Sequence, residues 1–219
     1  MTTGVQTSLC FELRSESGTA VDESVQVMFS DLSSIERTEL AHGAWIDVQR
    51  TWVRDGFALY DELKASPEWR AERRQMYDNV VAVPRLLRYF RSGETVPWPE
   101  VVDARQRLSS HYFQELGEGF TSTGLCLYRD GRDSVAWHGD TLGRGATLDT
   151  LVAIVSLGAS RVLALRPRAG GPSVRLTLDH GDLVVMGGSC QRTWEHAIPK
   201  TARMVGPRVS VQFRPRGVG

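Results

Sequence analysis

The sequence predicts a mostly β fold with some α-helix, in which about eight short strands form a double-sheet jelly roll or a barrel and helices pack outside one sheet. From residue 123 onward, apolar residues alternate with polar ones, and turns rich in Gly, Pro and Asp separate the apolar runs. Before residue 123, two segments show apolar residues at helical spacing instead. The composition, with 41% hydrophobic and 24% charged residues, excludes a disordered or fibrous chain.

Two helices are predicted in the first half of the chain. Residues 52–64 carry apolar side chains at near-helical spacing, and Pro67 lies just beyond them. Residues 99–116 form the clearer helix, because Pro99 suits a first helical turn and Gly117 follows the last one. The face of this helix that we expect to be buried consists of Val101, Ala104, Leu108 and Tyr112.

Extended structure is predicted elsewhere. Residues 70–97 contain Pro84, Gly93 and Pro97, and they predict a strand with loops. We expect one domain over residues 1–219, since this length suits a single hydrophobic core. The predicted strands of the second half are residues 123–128, 134–138, 150–157, 161–166, 173–178, 183–186, 193–198 and 208–213.

Net charge and cysteine content limit the classes of protein. With 26 basic and 26 acidic residues, the chain is not a strongly basic, histone-like binder. A polar beginning and the lack of any apolar run of about 18 residues predict no signal peptide, no transmembrane helix and no membrane partner. Three cysteines, none in a Cys-x-x-Cys pair, are typical of a reduced chain. We therefore expect a cytoplasmic monomer.

Positive charge is concentrated in the second half of the chain. Between residues 161 and 216, ten Arg or Lys residues stand against three acidic residues. Nearly all are arginines, whose planar guanidinium binds carboxylate or phosphate through two parallel hydrogen bonds. The pattern favours an anionic partner such as nucleic acid. Genome composition is the alternative explanation for the high ratio of arginine to lysine.

Two His-Gly-Asp triplets are candidate metal ligands. A histidine and a carboxylate two residues apart on a strand lie on the same face, so both can bind one metal ion. His180 and Asp182 read as a hairpin turn between two strands. His138 and Asp140 follow an extended run and border a Gly-rich loop, which makes them the better ligands. A hydrogen-bonded histidine at a strand end is the alternative for His138.

A third ligand would have to come from another strand. His196 lies 56 residues after Asp140, within the predicted strand 193–198. Two histidines and one carboxylate leave three positions open on a metal, an arrangement that suits non-haem Fe(II) with a cosubstrate and O2. Structural zinc sites use four protein ligands instead.

The last predicted strand carries polar residues on one face. Alternation places Arg208, Ser210, Gln212 and Arg214 on the same side of the strand. In a small barrel or jelly roll this side points inward, and a buried arginine needs an anionic partner. A small dicarboxylate fits that requirement. A surface edge strand with solvated arginines is the alternative.

Short motifs occur in a fixed order through the second half of the chain. They are Tyr128-Arg129-Asp130-Gly131, Trp137-His138-Gly139-Asp140, Ser156-Leu157-Gly158 followed by Arg161, Gly181-Asp182-Leu183-Val184-Val185-Met186-Gly187-Gly188, Trp194-Glu195-His196-Ala197-Ile198-Pro199-Lys200, and the strand from Arg208 to Arg214. In order and spacing they resemble the AlkB family of Fe(II)/2-oxoglutarate-dependent dioxygenases. The first half agrees more loosely, at Gly43-Ala44-Trp45, Met76-Tyr77 and Val83-Pro84-Arg85.

The resemblance implies a double-stranded β-helix, or jelly roll, as the catalytic core at about residues 118–216. Residues 1–117 would form an N-terminal extension with helices and a nucleotide-recognition lid. It also implies that His138, Asp140 and His196 bind Fe(II), which decides between the two triplets.

The resemblance further implies a pocket for 2-oxoglutarate. Arg208 would pair with the distal carboxylate of this cosubstrate, aided by the Tyr128 hydroxyl, and Arg214 would line the same pocket. Cys126 stands where the family usually has Asn, and Ser210 stands where it often has Asn or Ser. Both are expected in the pocket.

Substrate contacts are implied on the other side of the metal. By position, Tyr77 resembles the residue that probes the base stack, and Arg85 resembles the arginine near the flipped base. Trp137 and His138 complete the expected substrate-binding set. Residues 141–143 replace a stretch that is acidic in many members and helps to read the base.

The function implied is oxidative dealkylation of alkylated nucleobases in DNA or RNA, as in the repair of alkylation damage, with Fe(II), 2-oxoglutarate and O2. One alternative is a dioxygenase that acts on a protein or a small molecule. The other is a module that binds damaged nucleic acid without catalysis. The arginine-rich second half favours nucleic acid, and the complete ligand set favours catalysis.

Overall fold

The computed structural model describes residues 1, 28–76 and 79–218. Two antiparallel β-sheets face each other, and helices cover the outer side of the larger one. The described part contains no helix that is long and apolar enough to span a membrane.

The first half of the chain contains more strands than the sequence predicts. They are β1 (Met28–Phe29), β2 (Glu36–Glu39), β3 (Ala44–Gln49), β4 (Val53–Arg54), β5 (Arg70–Met76) and β6 (Asn79–Phe90). The helices of the described chain are α1 (Phe57–Ala65), α2 (Pro99–His111), α3 (Phe113–Leu116) and α4 (Cys190–Thr193).

Every strand predicted in the second half is present, and no bound differs from the prediction by more than two residues. They are β7 (Ser122–Tyr128), β8 (Val135–His138), β9 (Val152–Gly158), β10 (Arg161–Pro167), β11 (Val174–Leu178), β12 (Leu183–Gly188), β13 (Trp194–Ile198) and β14 (Arg208–Arg214).

The strand order is that of a double-stranded β-helix. The small sheet has the order β11-β10-β13-β8, and the large sheet has the order β2-β3-β12-β9-β14-β7-β6-β5. Strands β7 to β14 divide evenly between the two sheets, so the predicted jelly roll is confirmed. The first half adds β2 and β3 to one edge of the large sheet and the hairpin β5–β6 to the other.

The two predicted helices are present with different bounds. Helix α1 begins at Phe57, five residues later than the prediction, because Val53 and Arg54 pair with β1. The buried face of α2 carries Val101, Ala104 and Leu108, as predicted. This helix ends at His111, and the short α3 follows after Tyr112. Gly117 then ends α3 in the left-handed conformation, with a φ of 72°.

Alternation along β14 separates two environments. Val209, Val211 and Phe213 pack in the apolar cluster between the large sheet and the helices. Arg208 and Ser210 are buried on the opposite side of the strand, in the space between the two sheets. Polar side chains therefore enter the interior of the jelly roll, where the candidate site lies.

Candidate metal centre

His138 and His196 are direct cross-strand partners on β8 and β13. Their ring centroids lie 4.2 Å apart. Asp140 follows β8, and its Oδ1 lies 3.9 Å from Nε2 of His138. One ligand atom from each of the three residues lies within 4.8 Å of the other two. The structure therefore brings the predicted ligands together at one site.

Both histidines are prepared to act as neutral ligands. Nδ1 of His138 lies 2.9 Å from the Ala136 carbonyl oxygen, so the proton belongs on Nδ1 and the lone pair of Nε2 is free. Burial lowers the pKa of His138 and lowers the pKa of His196 to about 3. Metal binding then requires no removal of a proton from either ring near neutral pH.

Asp140 is ionised and held in place from two sides. Burial alone would raise its pKa, but the charge and the hydrogen bond of Arg214 hold the pKa at about 2. Nε of Arg214 donates to Oδ2 of Asp140 at 2.7 Å. The backbone N–H of Asp140 donates to Oε1 of the buried Gln191 at 2.9 Å. The carboxylate is thereby fixed as an oxygen ligand.

The donor set fits Fe(II). Two neutral imidazoles and one carboxylate supply three ligands from one side, and this set is typical of non-haem Fe(II) sites that keep positions open for other ligands. A closed structural zinc site would need a fourth protein ligand. Within the described chain, only the group of His138, Asp140 and His196 brings together three such side chains.

Arg208 is a candidate for a second binding position between the sheets. Its side chain is 1% exposed, and Nε donates to Oγ of Ser156 at 2.8 Å. Both terminal nitrogens are buried without a hydrogen-bond partner among the described residues. A buried guanidinium with two unused donors is costly, and a carboxylate would satisfy both in one bidentate contact. The pocket therefore fits the distal carboxylate of 2-oxoglutarate.

The other predicted cosubstrate residues surround this position. Tyr128 is opposite Arg208 in the β7–β14 register, and Cys126 is opposite Ser210. The guanidinium carbon of Arg208 lies 5.3 Å from the centroid of the Tyr128 ring. Burial raises the pKa of Tyr128 to about 12, so its hydroxyl keeps its proton and can donate a hydrogen bond.

A chain of hydrogen bonds connects this pocket to the metal site. Nε2 of Gln212 lies 3.4 Å from Oγ of Ser210 and 3.4 Å from Sγ of Cys126. Oε1 of Gln212 accepts from Arg214 at 2.8 Å, and Arg214 pairs with Asp140. Arg214 therefore lies between the pocket and the metal ligands, and its guanidinium already donates to Gln212 on one side and to Asp140 on the other.

The expected substrate residues have different locations. Tyr77 lies outside the described residues. Arg85 lies near the metal site: Nη1 donates to the carbonyl oxygen of Ser134, just before β8, at 3.1 Å, and its positive charge helps to lower the pKa of His138. Nε of Arg85 is buried without a partner in the described part of the chain.

Trp137 does not face the metal. It precedes His138 on β8, and alternation directs it to the outer side of the small sheet. There the Arg166 guanidinium lies 4.4 Å above its ring, and the same guanidinium pairs with Glu195. The structure therefore separates Trp137 from the other expected substrate residues.

The second His-Gly-Asp triplet, residues 180–182, forms a turn between β11 and β12. The sequence predicts this hairpin turn. Gly181 occupies the left-handed region with a φ of 86°. Asp182 accepts from the backbone of Thr51 and from Arg50, and His180 accepts the Gly158 N–H at 3.0 Å. These side chains support the fold and are remote from the metal ligands.

Three further residues, Gln191, Ser156 and Arg161, contact this site or its surroundings, and the sequence patterns predict no role for them. Ser156 and Arg161 occur in a recognised motif, and Arg161 is a charged residue at the start of an apolar strand. Gln191 lies in the one-turn helix α4 and shows no periodic pattern that would reveal it.

Comparison with known proteins agrees with this site. Residues 59–214 match the sequence profile of the 2OG-Fe(II) oxygenase superfamily. The human alpha-ketoglutarate-dependent dioxygenase alkB homolog 3 is 31% identical over 189 residues, covering 75% of this chain and 65% of that protein. The human DNA oxidative demethylase ALKBH2 is 30% identical over 178 residues, covering 71% of this chain and 67% of that protein.

A solved structure supports the fold. The structure of OsALKBH1 superimposes with a TM-score of 0.55 at 15% sequence identity, covering 81% of this chain and 100% of that chain. The profile match, the two relatives and the three assembled ligands agree with one another. The chain belongs to the AlkB family of the 2OG-Fe(II) oxygenase superfamily.

Proposed function

We propose that this protein is an Fe(II)- and 2-oxoglutarate-dependent dioxygenase that removes alkyl groups from nucleobases in DNA or RNA by oxidation. One observation carries the proposal: a three-ligand metal site and a buried arginine with two free donors share the interior of the jelly roll. Relatives named as a DNA oxidative demethylase and an alkB homolog support the class of substrate.

Each residue of the site has a defined task in this proposal. His138, Asp140 and His196 hold Fe(II), and Arg208 holds the distal carboxylate of 2-oxoglutarate through its free terminal nitrogens. When bound, Fe(II) with 2-oxoglutarate supplies the activation of O2 and the oxidation of the N-alkyl carbon. Arg214 keeps Asp140 ionised and oriented by its ion pair.

A nucleic-acid substrate requires contacts beyond the metal. An enzyme that acts on a duplex base must extrude that base, which costs a few kcal/mol, and must then hold it in a pocket. Arg85 supports this part of the proposal, because its charge lies beside His138 and is not paired with a carboxylate of the described chain. We assign base stacking to Tyr77 in the same proposal.

The test is aerobic incubation with Fe(II), 2-oxoglutarate and oligonucleotides that carry an N-methylated base, as single- and double-stranded DNA and RNA. Succinate, formaldehyde and the mass of the base are measured together. The proposal expects equal amounts of succinate and formaldehyde with loss of the alkyl mass, and no product from His196→Ala. Succinate without any change in an oligonucleotide would assign the protein to another substrate. Absence of 2-oxoglutarate binding would exclude the dioxygenase.

A further inference from the structure

Arg161, the first residue of β10, is a buried arginine to which the proposed reaction gives no role. Its side chain is 3% exposed. Nη1 donates to the Asp130 carbonyl oxygen at 3.0 Å, and Nη2 donates to those of Asp133 and Pro199 at 2.7 and 2.9 Å. One guanidinium thus ties together three backbone positions in two loops.

These loops lead directly to the active-site strands. Asp130 and Asp133 lie between Tyr128, which ends β7, and strand β8, which carries His138. Pro199 immediately follows β13, which carries His196. Arg161 therefore ties the loop that follows Tyr128 to the residue that follows β13, at the cosubstrate side of the site.

Arg161 also contacts the Tyr128 ring. Its guanidinium carbon lies 5.4 Å from the ring centroid, and that of Arg208 lies 5.3 Å from the same centroid. Two guanidinium groups therefore share one buried tyrosine. Cation–aromatic contacts of this kind are strengthened by exclusion of water.

Among the described residues, no carboxylate forms a direct ion pair with Arg161. Its three hydrogen bonds all go to neutral carbonyl groups. The nearby Asp133 carboxylate instead accepts two side-chain hydrogen bonds from Arg129, at 2.8 and 2.9 Å. Arg208 likewise contacts no carboxylate of the described chain. Two positive charges without a direct ion pair beside one pocket suit a dianionic ligand.

We infer that Arg161 is a positioning residue for 2-oxoglutarate, which holds Tyr128 against Arg208 and adds a second positive charge to the pocket. The inference rests on the proposed function. Arginine is required because a planar group with several donors can reach carbonyl oxygens in two loops while lying near the ring. Lysine would keep the charge and lose this geometry.

Calorimetric titration of 2-oxoglutarate into Mn(II)-loaded protein tests the inference without turnover. Arg161→Met removes both the positive charge and the guanidinium that bonds the three carbonyl oxygens. Arg161→Lys keeps the charge and removes only the guanidinium. The dissociation constant should rise at least about tenfold in the first and about threefold to tenfold in the second. Arg132→Met is the matched control, since Arg132 lies in the same loop and is 89% exposed. It should change binding less than about twofold.

Two further measurements separate positioning from a general effect on the fold. The dissociation constant for Mn(II) should stay within about twofold of wild type in both Arg161 variants. In a Tyr128→Phe background, Arg161→Lys should weaken 2-oxoglutarate binding less than it does in wild type, because the two residues act together.

The outcomes are distinct. If wild type binds no 2-oxoglutarate, the proposed function fails and this inference fails with it. If wild type binds it and both variants bind within about twofold, only the inference is overturned. Equal losses of Mn(II) and 2-oxoglutarate affinity would also overturn it. If Arg161→Met does not fold, Arg161→Lys decides, and failure of both to fold would show that Arg161 serves the fold alone.

Discussion

Nε of Arg214 lies 2.7 Å from Oδ2 of Asp140, so the metal carboxylate is ion-paired inside the protein. Arg214 is 12% exposed and Asp140 is 7% exposed, which places the pair largely out of water. This contact leaves Oδ1 directed toward His138, at 3.9 Å from its Nε2. Arg214, which the family resemblance predicts to line the cosubstrate pocket, therefore also orients the ligand Asp140.

Arg214→Met should destabilise the metal-free protein by about 3 kcal/mol, because it leaves a buried carboxylate without its partner. Adding Asp140→Asn to this variant should recover part of the loss, since the second change removes the uncompensated charge. Urea unfolding of the four proteins in the presence of a chelator measures both effects. Additive losses from the two substitutions would show that the ion pair does not stabilise the fold.

Arg208→Lys should raise the dissociation constant of 2-oxoglutarate at least about tenfold, because lysine cannot offer the two parallel donors that a carboxylate accepts. Pyruvate keeps the keto acid and lacks the distal carboxylate, so its weak binding should be the same in variant and wild type. Arg175→Lys, on the exposed face of β11, is the control and should have no effect. Unequal pyruvate binding would mean that Arg208 acts on the metal end of the ligand instead.

The jelly-roll core follows from sequence because its strands obey simple rules. Along β14, apolar residues that face the helices alternate with polar residues that face the interior, and this period of two is visible directly. Strand β3 obeys no such rule. Four of its six residues are buried and the other two are half-buried, so both of its faces are covered and its pattern does not distinguish strand from helix.

The metal ligands could be predicted because strand geometry fixes the spacing of His138 and Asp140. Gln191 could not be predicted in this way. It comes from a one-turn helix, and its bond to the backbone of Asp140 depends on how α4 packs against β12 and β13. The role of Arg161 could not be predicted either, because its hydrogen-bond partners are backbone carbonyl oxygens, which residues of any type supply.

The stability of the protein above pH 9 should depend on Cys190. Burial raises the pKa of this thiol to about 12 from an ordinary value of 9.0. Between these values the unfolded chain loses the proton and the folded chain keeps it, so the free energy of unfolding falls as pH rises. Cys190→Ala should flatten this fall by up to about 1.4 kcal/mol per pH unit. Urea unfolding of wild type and Cys190→Ala at pH 9, 10 and 11 measures this difference. The same dependence of unfolding free energy on pH in both proteins would contradict the raised pKa of the buried thiol.

Arg85 and Arg88 lie on the same strand and differ in their partners, which makes them a matched pair for testing nucleic-acid binding. Nε of Arg88 pairs with Glu68 at 2.5 Å, whereas Arg85 contacts the Ser134 carbonyl oxygen and lies beside the metal site. If Arg85 meets a phosphate, Arg85→Gln should reduce the slope of log K against log salt concentration by about 0.7 to 0.9. Arg88→Gln should leave the slope nearly unchanged. Fluorescence anisotropy with a labelled oligonucleotide at several salt concentrations gives both slopes. If Arg85→Gln binds more weakly but with an unchanged slope, Arg85 does not meet a phosphate and instead holds the chain before β8 through its bond to Ser134.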